Sequence, residues 1–534
     1  MNIRSLVKKN KVFTIFSINF LLWVVFLVIL SIISERSVIF YDALGQVDVS
    51  SEFSSQLPLL RYVIEPFYVI AYILEYEFTW VYLFLIFYPI LRIIYLYLKK
   101  RGMFNSKKFR YINYLLADII FFAFKVLILA IIIVGLYVAI GFFIQGFLFV
   151  SKNFMVAIQL GFHIAFILIL IKMIYTIIKL FHSKLKLSLS KKTLFQTPVR
   201  NAKIRVKQEI IFFIGIGGLL ICSNIILIST PFPPHRIIPI IPLEDDEFLF
   251  DFHVHTIYSD GWLSVEERIN WYMQQGISGA AFSDHDNIRG ATMAQNYVTE
   301  YGLDFVVFMA EEWTDHEDDI HINYYGITEE IVPLESYIPG GPVAMNASDL
   351  ITYVKSNGGY ITVNHYNYES NPNGGYGVPY TLDQLRDWGV DGFEIVNSGS
   401  YGWKYQQIRN YCLNNNLTCI GGSDIHTNED LNTFIKLTLS DPTNLTIANI
   451  FETLKENEHE IITVSFYPKI VDFPDDLNDF GFYFVEDFIN YLLNMDTFQA
   501  LSWIIWSSMV YVLIFLIYRK IKNVELSFLK DKII

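Results

Sequence analysis

Six apolar runs, each near the roughly 20 residues a helix needs to cross a bilayer, constrain this chain more than any other feature. They cover residues 12–33, 78–91 (extended past Arg92 to 98), 126–150, 154–171, 210–228 and, near the other end, 498–518. With 53% hydrophobic and 16% aromatic residues over 534 positions, the chain is expected to be part membrane and part globule. The first run is longer than a usual signal-peptide core and lacks a clean small-residue cleavage pattern, so it reads as a retained helix. Residues 59–74 are apolar but carry Arg61, Glu65 and Pro66, and read as an interfacial or re-entrant segment.

Charge divides the chain in the same way. Residues 245–497 hold 9 Lys/Arg against 41 Asp/Glu, whereas the chain as a whole has a net charge of only -13. An acidic globule is therefore joined to a basic membrane part. Such a globule repels long polyanions, because sequence-independent nucleic-acid affinity comes from cationic side chains, so a long nucleic acid is disfavoured as a partner. The basic segments are residues 4–11, 99–110, 179–207 and 519–532. Cytoplasmic loops beside spans carry the positive excess; five spans before the globule and one after it put all four segments, and both termini, on the cytoplasmic side. The globule then lies outside the cytoplasm. Sequons at Asn346, Asn416 and Asn444 give weak support to that location. Asp118, Lys125, His163 and Lys172 lie in or beside the spans and read as groups that snorkel or pair within the bundle.

The expected organisation is a membrane region over residues 1–230, a linker over 231–246 and a globular domain over 247–469. An acidic connector over 470–497, the last span over 498–518 and a basic tail over 519–534 follow. Five prolines between 231 and 242 forbid a continuing helix and favour an extended tether. The three cysteines, Cys222, Cys412 and Cys419, exclude a cysteine-based zinc finger or a disulfide framework; free thiols are the default reading.

Seven of the eleven histidines fall between residues 253 and 426, among many carboxylates. Imidazole and carboxylate suit zinc, manganese and iron. In FLFDFHVH (248–255) strand alternation places Asp251, His253 and His255 on one face. Other strand-like runs end in polar candidates: 280–282 before Ser283-Asp284-His285-Asp286, and 305–310 before Glu311-Glu312. The same holds for 360–363 before Asn364-His365, 392–396 around Glu394, and 417–422 before Ser423-Asp424-Ile425-His426. Helical patterns such as 265–275 and 347–356 alternate with them. Alternating strands and helices with functional groups at strand C-terminal ends describe an α/β fold of the β/α-barrel kind.

These motifs closely resemble the PHP (polymerase and histidinol phosphatase) family. His253-Val-His255 through Asp260-Gly matches its first motif, Ser-Asp-His285-Asp its second, Asn-His365 its third and Gly-Ser-Asp424-Ile-His426 its fourth, with Glu312 and His321 between. The resemblance covers the globular part and implies a distorted (β/α)7 TIM-like barrel bearing two or three divalent ions of manganese, zinc or iron. One ion would take His253, His255, Glu312 and Asp424; a second, Glu312, His321 and His365; a third, Asp260, His285 and His426. Glu311 is a rival to Glu312, which is preferred for its spacing to Thr314. Tyr366 stands where the family usually has proline, and Ala310 where a glycine is common.

The resemblance implies a phosphoesterase, which the apolar runs would anchor to a membrane, and the expected substrates are small phosphomonoesters, nucleotides or oligonucleotide ends. Closely spaced ions bind phosphoryl oxygens and generate hydroxide near neutral pH, so no side-chain nucleophile is expected. Arg289 and Lys404 are candidate substrate contacts, and residues 367–380 a candidate lid. Two other readings stay open: a transporter or sensor whose outer domain binds a phosphorylated ligand, and a lipid phosphatase facing the bilayer.

Overall fold

A computed structural model describes residues 11–33, 38–75, 230–366, 377–474 and 482–530, with scattered positions between 88 and 227. Most of the second to fifth apolar runs, the basic segments at 99–110 and 179–207, Asp118, His163, Cys222 and most of the candidate lid lie outside the described residues.

Two helices, α1 (Lys11–Ile33) and the C-terminal α10 (Thr497–Lys530), contain stretches long and apolar enough to cross a membrane, Phe13–Ile33 and Thr497–Leu516. They pack antiparallel. Phe20 stacks on Tyr511 at 4.4 Å between ring centroids, Phe13 meets Phe515, and Trp23 meets Trp503. Helix α2 (Leu59–Glu75) lies against α10, where Phe67 meets Trp506 edge-on at 4.7 Å. The segment read from sequence as interfacial is thus a continuous helix through Pro66. Its Arg61 and Glu65 are buried, so the charges that interrupt its apolar run face protein.

The chain then builds a mixed α/β domain on one eleven-stranded sheet. Its strands are β1 (Ile39–Asp42), β2 (Val47–Asp48), β5 (Glu247–Val254), β6 (Gly279–Phe282), β7 (Val306–Asp315) and β8 (Ile320–Tyr325). They continue with β11 (Tyr360–Val363), β12 (Gly392–Asn397), β13 (Thr418–Gly422), β14 (Thr433–Thr438) and β15 (Glu460–Ser465), while β9 (Ile331–Pro333) and β10 (Val343–Met345) pair with each other outside that sheet. The order is β13-β12-β11-β8-β7-β6-β5-β14-β15-β1-β2. The intervening helices are α3 (Val265–Gln275), α4 (Arg289–Tyr301), α5 (Ala347–Ser356), α6 (Leu382–Trp388), α7 (Trp403–Asn414) and α8 (Ile447–Lys455); α9 (Tyr483–Asn494) precedes α10. Helix α3 shows how local sequence fixes these boundaries. Ser264 and Glu267 form a reciprocal capping box, and Gly276 ends the helix in the left-handed conformation at φ 85°.

Strands β5, β6, β12 and β13 are almost wholly buried, as parallel strands covered on both faces are. Strand β8 departs from the parallel pattern, running antiparallel to both β7 and β11. Beyond β13 the chain returns to β5. The Asp424 N–H donates to the His253 carbonyl at 2.9 Å and the His255 N–H to the Ile425 carbonyl at 3.3 Å, bringing the two ends of a seven-strand stretch together at the level of the histidines.

Two segments outside the expected globular boundaries join this domain. Strand β1 pairs antiparallel with β15, Ile39 opposite Ser465. The proline-rich linker is a two-stranded ribbon rather than a free tether: β3 (Phe53–Gln56) pairs with β4 (Arg236–Pro239), and Phe232, His235 and Ile237 are buried. Proline forbids helix but suits the edge of an extended pair, and the two partners lie 184 residues apart in Ser54 and Ile238, a distance no local pattern reveals.

Candidate metal centre

The strand ends converge on one carboxylate. His253 sits near the end of β5 and His255 just past it; Glu312 is in β7, His321 in β8, and Asn364-His365 follow β11. Asp424 and His426 follow β13. Glu312 Oε2 lies 3.2 Å from both His253 Nε2 and His255 Nε2 and 3.1 Å from His285 Nδ1. Its Oε1 lies 3.0 Å from His321 Nδ1 and 3.3 Å from His365 Nε2. Asp424 Oδ1 is 3.1 Å from His255 Nε2 and 3.3 Å from His253 Nε2. At the rim, Asp260 reaches His426 Nε2 at 3.2 Å and His285 Nε2 at 3.6 Å.

The potential ligand atoms form three overlapping groups: His253, His255, Glu312 and Asp424; His255, Asp260, His285 and His426; and His285, Glu312 and His321. Eight of the nine residues singled out from sequence fall in these groups, and the ninth, His365, stands beside them with its Nε2 3.3 Å from Glu312 Oε1. The groups differ from the expected sets in that His255 also faces the rim group and His285 also reaches Glu312.

A second layer fixes these side chains. Glu394 Oε1 lies 3.2 Å from His253 Nδ1 and Glu394 Oε2 accepts the His365 backbone N–H at 2.8 Å. A proton on His253 Nδ1 directs the Nε2 lone pair into the centre. Asn364 donates to Glu312 at 2.9 Å, and Asn397 to Glu394 at 3.0 Å and Asp424 at 3.1 Å. Asp284 accepts from the Thr256 N–H, the Thr256 hydroxyl and the Ser259 hydroxyl, each at 2.7 Å, pinning the turn that carries Asp260. His365 (φ 25°) and Asp424 (φ 50°) hold left-handed backbone, a conformation costly for residues other than glycine.

The electrostatics fit cations. Burial disfavours charge on His253 and His255, yet Glu312 and Asp424 outweigh it and raise both imidazoles above their ordinary value. Burial likewise opposes ionisation of Glu312, but the histidines around it, His253 first, hold its carboxyl well below the carboxylate range. His253 Nε2 and His255 Nε2 are only 3.1 Å apart and face the same carboxylates. An N/O donor set of this composition suits a divalent transition ion.

Some expectations from sequence are corrected. The pairing of β5 with β6 shifts register between Asp251 and Val254, and Asp251 turns from the centre to accept from the Tyr272 hydroxyl at 2.5 Å and the Ser423 N–H at 3.0 Å. Glu311 points away and accepts the Ile331 N–H at 3.3 Å. Arg289 is 66% exposed, with its Nε 3.9 Å from Glu330 Oε2. Lys404 is half-buried in the first turn of α7. The supporting roles of Asn364, Asn397, Asp284, Glu394 and Thr314, whose hydroxyl lies 2.7 Å from His285 Nδ1, are not assigned from sequence. Glu394 did leave a signal, a carboxylate between Phe393 and Ile395 in the fully buried β12.

No protein-family model matches the chain, and no curated protein matches it. Among solved structures it is similar to a two-domain protein from Bacteroides vulgatus containing a predicted PHP-like metal-dependent phosphoesterase, at 18% identity and a TM-score of 0.32. That match covers 40% of this chain and 64%, less than two thirds, of the other. A proposed metal-dependent phosphoesterase from Bifidobacterium adolescentis matches at 17% identity and TM-score 0.28, covering 38% of this chain and 95% of that one. An amidohydrolase from Chromobacterium violaceum with bound sulfate and no metal matches at 18% identity and TM-score 0.25, covering 33% and 87%. Likenesses this slight carry no assignment, and the site is read on its own geometry.

Proposed function

We propose that this chain is a membrane-anchored, metal-dependent phosphoesterase. The observation that carries the reading is Glu312, whose one buried carboxylate meets five imidazoles delivered by four different strands. We read the seven strands from β13 to β5 as a distorted barrel, α1 and α10 as membrane spans, and the globular domain as lying outside the cytoplasm, the last from the basic segments alone.

Divalent ions held here would bind phosphoryl oxygens, supply a nucleophilic hydroxide and stabilise the leaving oxygen. His253, His255, Glu312 and Asp424 form the innermost ligand group, with His321 and His365 beside Glu312. His285, His426 and Asp260 line the rim, where Asp260 is 55% exposed and open to an entering ester. Asn364, Asn397 and Glu394 keep the ligands oriented. Two hydroxyls lie close to histidines: Ser259, 3.3 Å from His255, donates to Asp284, and Thr314, 2.7 Å from His285, lies 3.2 Å from the Glu312 carbonyl as its donor, which leaves both poorly placed as nucleophiles. Positive charge from the ions would also let a domain this acidic accept a phosphate.

The test uses the full chain in detergent, with manganese or zinc, against phosphomonoesters, phosphodiesters, nucleotides and phospholipid in vesicles. Hydrolysis that disappears on chelation and returns with metal supports the proposal, and the preferred substrate separates a soluble ester from a lipid headgroup. Tight metal binding without turnover of any ester would replace it with the ligand-sensing reading.

A further inference from the structure

The segment between β13 and β14 carries two of the nine ligand candidates, Asp424 and His426, and is gripped along its length from outside the centre. Arg268 of α3 donates to the Ile425 carbonyl at 3.4 Å, and Gln275 accepts the Leu431 N–H at 3.0 Å. The tightest grip is on Asp430. Its Oδ2 accepts from Arg61 at 3.2 Å and from the Tyr68 hydroxyl at 3.0 Å, both on α2, and its Oδ1 accepts the His235 N–H at 2.8 Å.

Arg61 is itself fixed on every side. It donates to Glu65 at 3.0 Å and to the Pro233 carbonyl at 3.0 Å, and Glu65 accepts from Gln499 of α10 at 2.6 Å. Arg61, Glu65, His235 and Gln499 are fully buried. An unbroken line of hydrogen bonds therefore runs from the C-terminal apolar helix, through α2, to a residue four positions after His426. A buried ion pair adds little net stability over apolar residues of the same volume, but it fixes one geometry, and breaking one partner leaves an uncompensated charge. Here the geometry it fixes is that of a ligand-bearing segment.

We propose that Arg61 is a positioning residue for the metal centre, acting through Asp430 on the segment that presents Asp424 and His426. The apolar helices are then a working part of the site as well as its anchor. This inference rests on the reading that the centre holds metal.

The test measures divalent-metal affinity of the full-length chain in detergent, with manganese as the probe. Arg61→Met should weaken binding of at least one ion by about tenfold, the low end of what loss of an outer-layer partner costs. It should lower kcat with little change in KM. Arg61→Lys keeps a cation near Asp430 without the fork to Glu65 and Pro233, and should recover part of the loss. Asp430→Asn keeps the volume and the acceptor for His235, and should show the same metal defect if Arg61→Met proves too unstable to isolate. Wild-type metal affinity in either folded variant overturns the positioning role. A wild-type chain that binds metal but hydrolyses no ester defeats the phosphoesterase reading and leaves this inference standing.

Discussion

Glu312→Gln is expected to lower ester hydrolysis by more than about a hundredfold, because even partners that only orient a metal ligand cost about 10–100-fold when removed. Gln keeps the shape of the side chain, and Asn364 still finds an acceptor. What disappears is the negative charge that five histidines share. Without it, His253 loses the largest influence raising its pKa and His255 loses one that ranks behind Asp424, and no carboxylate is left to join the inner ligand group to His321 and His365. The variant should fold, give a wild-type circular dichroism spectrum and bind fewer ions per chain. Wild-type turnover in Glu312→Gln would remove this carboxylate from the mechanism.

Gly422→Ala should disrupt the site strongly for a change of one methyl group. A Cβ at Gly422 would stand 2.3 Å from the His253 Cβ and 2.7 Å from Glu394 Oε1. The first of these atoms is fixed to the β5 backbone and cannot rotate away. Strands β5 and β13 would have to part where Asp424 and His253 share a backbone hydrogen bond. Overpacking of this kind costs about 1–3 kcal/mol and sometimes more, and the displacement falls on a metal ligand. The expected result is a lowered denaturation midpoint together with reduced metal content. Gly402→Ala, whose Cβ would meet nothing within 4 Å, serves as the control and should match wild type in both.

The site was legible from sequence because its ligands sit in short motifs at the ends of apolar runs, and each motif survives as a local pattern. His253-Val-His255 and Asp424-Ile-His426 needed no knowledge of strand order. Glu312 could be preferred to Glu311 by spacing, and the two carboxylates do point to opposite sides of β7. Asp251 was misplaced because strict alternation assumes an unbroken strand, and the register shift after it is set by pairing with β6. The antiparallel course of β8 was not legible either, since strand direction depends on which neighbours are joined across the sheet. Residues 39–56 had no visible role for the same reason; β1 finds its partner in β15, more than 400 positions along the chain.

Helix α2 shows a different limit. Hydropathy treats Arg61 and Glu65 as defects in an apolar run, which suggested a segment lying at a membrane surface. Both are satisfied by partners from Pro233, Asp430 and Gln499, and a sum over neighbouring residues carries no information about such partners. Charge inside an apolar helix marked a junction between the helices and the globular domain.

Metal bound per chain, measured by elemental analysis on the full-length protein after stripping and reloading, tests the central claim most directly. The three overlapping ligand groups predict two or three divalent ions in the wild-type chain and fewer in Glu312→Gln, with ester hydrolysis tracking the ions recovered. A reloaded, folded wild-type chain that holds no divalent ion, or one that hydrolyses esters equally well without any, would contradict the account.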